Sequence, residues 1–143
     1  MNNEEYVTLE QAKHLHRLGF SELCFGAYSM NNIGTYDLLV SAVPTMNFPD
    51  ATKQYAAPSQ AMALRWIREQ RNIYVFIKPF TTDDMKIVFN ALICRRRVAK
   101  SSDTEKEIEI MPGVMQIDGF TTMEEAYSAA LDEVLEILKP KKQ

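Results

Sequence analysis

The side chains best equipped for chemistry in this sequence are cationic. Arg95-Arg96-Arg97 with Lys100 forms its most conspicuous cluster. Side chains alternate along a strand, so Arg95 and Arg97 would face one way and Arg96 the other. Guanidinium groups make paired, charge-assisted hydrogen bonds to phosphate and carboxylate. The cluster therefore reads as an anion site, for a phosphate, a nucleotide or an acidic partner. The competing reading is a solvated strand end that pairs with Glu105, Glu107 and Glu109 across the following turn. Arg65-Trp66 is the second candidate. An exposed Trp66, the sole tryptophan, would anchor an interface or offer a stacking platform, whereas a buried one is simply core.

Other constellations carry less. His14 and His16 are the two histidines. Two residues apart on a helix, their side chains diverge by about 160°, so they cannot share one metal. Cys24 and Cys94 sit in separate apolar runs and supply no zinc spacing. Both read as buried, reduced thiols. Five scattered glycines write neither a phosphate loop nor a dinucleotide fingerprint, and no Gly-x-Ser-x-Gly elbow occurs. Asp83-Asp84 falls in a turn and Glu124-Glu125 in the first turn of a helix, where carboxylates are favoured for structural reasons. No metal, cofactor or catalytic set is expected.

Composition bounds what these residues can serve. A chain of 143 residues with 46% hydrophobic and 24% charged side chains is an ordinary globular domain. The net charge of −3 favours neither nucleic acid nor an anionic membrane as the main partner. Charge is unevenly placed: residues 65–100 hold nine Lys/Arg against three Asp/Glu, and 101–138 hold one Lys against ten Asp/Glu. On separate faces these segments would make the molecule bipolar; as neighbouring elements they would pair. The opening Met1-Asn2-Asn3-Glu4-Glu5 lacks the apolar core of a signal peptide, and no run approaches a membrane span, so the expected location is the cytoplasm.

Capping signals place the helices that must position any site. Thr8 with Gln11 writes a capping box, Gly19 suits a left-handed stop, and Phe20 can fold back on Leu15, so a helix is predicted over residues 9–18. Pro58-Ser59 opens a second helix that Asn72 ends. Thr122 with Glu125 opens the last, with Ala126, Tyr127, Ala130, Leu131, Val134, Ile137 and Leu138 on its apolar stripe and Pro140 as its stop. Between them, 23–28 and 35–40 read as a hairpin around Asn31-Asn32-Ile33-Gly34. Residues 73–77 read as a central strand ended by Pro79, 85–94 as its antiparallel neighbour, and 105–111 as an edge strand. The segment 42–57, with Pro44 and Pro49, reads as a long surface loop, and 1–6 and 140–143 as flexible ends.

The expected fold is a single α+β domain: a two-layer sandwich of three amphipathic helices on an antiparallel sheet of four to five strands, in the order α-β-β-α-β-β-(β)-α. Four blocks carry a resemblance: Tyr6 to Lys13 with Leu18-Gly19-Phe20, Ala57 to Glu69, Ile73-Tyr74-Val75, and Met123 to Ala126 with the closing helix. They resemble a family of short uncharacterised proteins of gut Bacteroidales phages and mobile elements. The resemblance implies that setting and no activity.

The function expected from these observations is non-catalytic binding of a partner protein or small anionic ligand, through Arg65, Trp66, Arg95, Arg96, Arg97 and Lys100. The alternatives are an enzyme on a phosphorylated small molecule, which needs Arg95 or Arg97 near Asp83, Asp84 or His16, and a virion or structural subunit. A homodimer through an edge strand or the Trp66 border is compatible with the pattern.

Overall fold

The first helix forms as its caps dictate. In the computed structural model, which describes residues 5–45, 54–95, 97–100, 107–110 and 114–139, α1 spans Leu9–Arg17. The Gln11 backbone N–H donates to Thr8 Oγ1 (3.2 Å) and the Thr8 N–H to Gln11 Oε1 (2.9 Å), which closes the capping box. At the other end the Phe20 N–H returns to the Leu15 carbonyl (3.0 Å) and the Gly19 N–H to that of His16 (3.1 Å), with Gly19 at φ 96°. That paired closure is the Schellman motif, and it needs a residue free to adopt positive φ.

Three strands follow: β1 (Cys24–Met30), β2 (Tyr36–Thr45) and β3 (Gln54–Ala57). They pair antiparallel in the order β2-β1-β3. Asn31 Oδ1 accepts the N–H groups of Ile33 (3.0 Å) and Thr35 (3.1 Å) and so builds the β1–β2 turn. Two expectations change here. Strand β2 runs through Pro44, because an edge strand has no ladder donor to lose on its open side. Part of the segment expected as a loop is β3; residues 46–53 of it lie outside the described residues. Tyr6, expected in a flexible end, pairs with Ser59, and the Val7 N–H donates to the Pro58 carbonyl (3.1 Å).

Helix α2 (Gln60–Arg71) starts at Ser59, whose Oγ accepts the Met62 N–H (3.1 Å), and stops at Asn72 with φ 57°. Then come β4 (Ile73–Thr81) and β5 (Ile87–Arg95), β6 (Arg97–Lys100) and β7 (Glu107–Ile110), and β8 (Val114–Phe120). The order β4-β5-β8 makes β5 the central strand and β4 an edge. This corrects the reading of 73–77 as central. It also explains how β4 continues through Pro79. Phe76 and Phe80, on one face of the strand, are 50% and 42% exposed. Strand β8 had no counterpart in the sequence reading. At its bulge opposite β5 the buried Asn90 Oδ1 accepts the Gly119 N–H (3.0 Å).

Helix α3 (Met123–Ile137) opens on Thr122, whose Oγ1 accepts the Glu125 N–H (3.1 Å). Its buried stripe is Ala126, Ala130, Leu131, Val134 and Leu135; Ile137, expected on that stripe, is exposed. The fold is thus α+β with three helices and antiparallel sheets among the described residues. In place of one sheet of four to five strands, the described strands form two three-stranded sheets and the β6–β7 ribbon. Both free sides of β1 are taken by β2 and β3, and α2 then separates β3 from β4.

Packing divides the chain into two compact units, Met1–Ala63 with Leu135–Gln143, and Leu64–Val134. The core of the first holds Val7, Ala12, Leu15, Phe20, Cys24 and Ala57. That of the second holds Trp66, Ile67, Ile73, Ala91, Ile93, Leu131 and Val134.

Candidate functional site

The basic cluster singled out in the sequence spans the end of β5 and all of β6. Arg95 ends β5, exposed and in register with Ile73. Arg96 lies outside the described residues. Arg97 and Lys100 end β6, opposite Ile110 and Glu107 of β7. Arg65 is exposed on α2, while Trp66 is 7% exposed and belongs to the core. Asp83 and Asp84 occupy the β4–β5 turn, at the far end of β5 from Arg95. Eight strand steps separate Ile87 from Arg95, roughly 27 Å. A phosphoryl site that needs Arg95 beside those carboxylates is therefore not formed.

A different set converges in the first unit. Glu10, Lys13 and Arg17 are spaced three and four apart along α1, so they share one stripe, with His16 beside it. Together with Tyr55 of β3 they line an open cleft of about 420 Å³. Lys13 Nζ lies 3.6 Å from Glu10 Oε1, 5.4 Å from the centre of the Tyr36 ring and 5.9 Å from that of Tyr55. The Tyr36 and Tyr55 rings are 5.8 Å apart and tilted by 49°. His16 meets Tyr55 edge-on at 5.8 Å. Arg17 Nε donates to the Lys13 carbonyl (3.3 Å), which holds the base of its side chain along the helix.

Sheet pairing explains why the rings meet. Tyr55 sits opposite Tyr28, and Tyr36 opposite Met30, so residues of equal parity share one face. Tyr28 on that face donates its hydroxyl to the Val7 carbonyl (2.7 Å), and burial pushes its phenol pKa up. His16 Nδ1 is buried with no hydrogen-bond partner among the described residues. An unsatisfied buried nitrogen costs about 1–3 kcal/mol.

The lining supplies two permanent cations, one carboxylate, an imidazole and a phenol, and no Ser, Thr or Cys. Cys24 of β1 is buried and donates to the Gly26 carbonyl (3.4 Å), and burial pushes its thiol up. That environment suits an inert thiol. No group of three or more His, Cys, Asp or Glu that could hold a metal occurs among the described residues. No helix among them is long and apolar enough to cross a membrane.

No protein-family model, curated protein or solved structure matches the chain.

Tyr55 stands in a segment with no periodicity, so nothing in the sequence ties it to α1. The stripe Glu10, Lys13, Arg17 was visible as helical spacing, yet such a stripe usually marks a solvated face.

His14 lies on the same helix. Burial lowers its pKa from 6.5, and the charges of Arg17 and Lys139 lower it further, while Glu136 and Glu10 oppose. A histidine with a depressed folded-state pKa resists protonation, so its contribution is intact above about pH 6.5 and is lost as pH falls toward the folded value. His14→Gln should accordingly lose less melting temperature than the unmodified protein between about pH 7.5 and 5.5. Calorimetric scans across that window check this; parallel curves would contradict it.

Proposed function

We propose that the chain is a non-catalytic binding protein that captures a small anionic ligand in the cleft between α1 and β3. The observation that carries this reading is the lining itself: Lys13 and Arg17 outnumber Glu10, and His16, whose Nδ1 is buried without a partner among the described residues, lines the same cleft. Charge-assisted hydrogen bonds from ammonium and guanidinium groups are the strong ones available to a protein, and here two such donors share one stripe. Within the first unit we infer two layers, with α1 over the sheet face that carries Tyr28, Tyr36 and Tyr55. The contacts of Lys13 and His16 with the tyrosine rings support it. The phage or mobile-element setting implied by the sequence blocks forms part of this proposal. A small-ligand sink would suit it.

Titration calorimetry with inorganic phosphate at low ionic strength tests the site. The double variant Lys13→Ala/Arg17→Ala should weaken binding at least about tenfold, because it removes both charged donors. Arg95→Ala should leave binding unchanged. The opposite pattern would move the anion site to the end of β5 and overturn the assignment.

A further inference from the structure

We infer that the ligand of this cleft is a planar-ring anion: an aromatic or heteroaromatic ring bearing one phosphate or carboxylate. The inference rests on the anion-site reading above and names the ligand's class.

The argument turns on what Lys13 does in the cleft. Its ammonium lies near two tyrosine ring centres, at 5.4 and 5.9 Å, and 3.6 Å from Glu10. Both kinds of contact are weak in a solvated setting. An arriving phosphate or carboxylate offers Lys13 a stronger partner, shared with Arg17 one turn along. Drawing the ammonium toward that anion uncovers the phenol faces beneath it. A ring attached to the anion can then stack where the ammonium lay. The 49° tilt between Tyr36 and Tyr55 allows a flat group to lie on one ring while its rim meets the other. An anion without a ring gains only the charged contacts. A ring without an anion must displace the ammonium and receives nothing to hold it elsewhere.

Glu10 acquires a definite role in this scheme. It retains Lys13 in the empty cleft and repels the incoming anion, so it sets the affinity from the unfavourable side. A zwitterionic ligand would reverse that role, because its cationic group would bind Glu10 directly.

Calorimetric titration of the full chain with phenyl phosphate and with inorganic phosphate tests the inference. Phenyl phosphate should bind at least about tenfold tighter, the increment that stacking on one aromatic side chain supplies. Tyr55→Leu should remove that advantage, bringing the two probes to within about twofold of each other. Glu10→Gln should tighten both by about threefold, the scale of one exposed ion pair. Equal affinities for the two probes in the unmodified protein overturn the ring class and leave the anion site standing. Failure of both probes to bind overturns the anion site itself. Weaker binding of these probes to Glu10→Gln would overturn the repulsive role given to Glu10 and show that it holds Lys13 in place for the anion. The two-probe comparison uses the unmodified protein, so it does not depend on a variant's folding.

Discussion

Phe20→Ala is expected to lower the stability of the first unit by about 3–5 kcal/mol, the usual range for emptying a buried phenylalanine. Phe20 is 2% exposed and is among the largest fully buried side chains. It is also the residue whose N–H closes α1 onto the Leu15 carbonyl, directly after Gly19 at positive φ. The side chain therefore does two things: it fills core volume, and its burial fixes the direction in which the chain leaves the helix. The last turn of α1 carries His16 and Arg17, so a loosened helix end also blurs one wall of the cleft. Differential scanning calorimetry should show a fall in melting temperature on the order of 10 °C. Phe20→Leu, which keeps most of the volume, should lose much less. An alanine variant within about 1 kcal/mol of the parent would mean that the site collapses without a cavity, contrary to the burial seen.

That double role shows why some of the fold was legible in the sequence. Helix ends are local. Thr8 with Gln11, Gly19 with Phe20, Ser59, Asn72 and Thr122 each act within a few residues, and the structure places a cap at each of them. Strand pairing is not local. Whether Ile73–Thr81 is central or an edge depends on β8, which begins at Val114 and has little periodicity of its own. Proline misled the reading twice for one reason. Pro44 reads as part of a loop and Pro79 as the end of a strand, yet each sits on an edge strand where a missing N–H goes unnoticed. The site was obscured in a related way. Arg95, Arg96, Arg97 and Lys100 are conspicuous because they are close in sequence, whereas residues that share a cleft need not be. The cleft is built instead from a helix stripe and a tyrosine about forty positions later, brought together by the sheet.

Gly26→Val is the substitution through which that sheet dependence can be tested. Gly26 lies in β1, in register with Val40 on one side and Ala57 on the other. A Cβ built there would stand 2.5 Å from the Ala57 carbonyl oxygen and 3.0 Å from Cδ1 of Tyr6. Neither neighbour yields easily. The carbonyl is backbone within the β1–β3 ladder, and Tyr6 is tied to Ser59 by its bridge. Overpacking by one methyl group typically costs about 1–3 kcal/mol, so Gly26→Ala should fall in that range and Gly26→Val should exceed it. Gly34 provides the contrast. It has φ 86° and nothing within 4 Å of its would-be Cβ, so Gly34→Ala should cost only the left-handed backbone strain, about 1–2 kcal/mol. The two glycines also separate stability from binding. Relief of the Gly26 clash must push β3 away from β1, and β3 carries Tyr55 only two residues before Ala57. Gly26→Ala should therefore weaken phosphate-ester binding even at a temperature where the protein is fully folded, while Gly34→Ala should bind as the parent does. If Gly26→Ala binds normally despite its lowered melting temperature, Tyr55 is not held in the cleft by its pairing with β1, and the sheet cannot be what positions the ring.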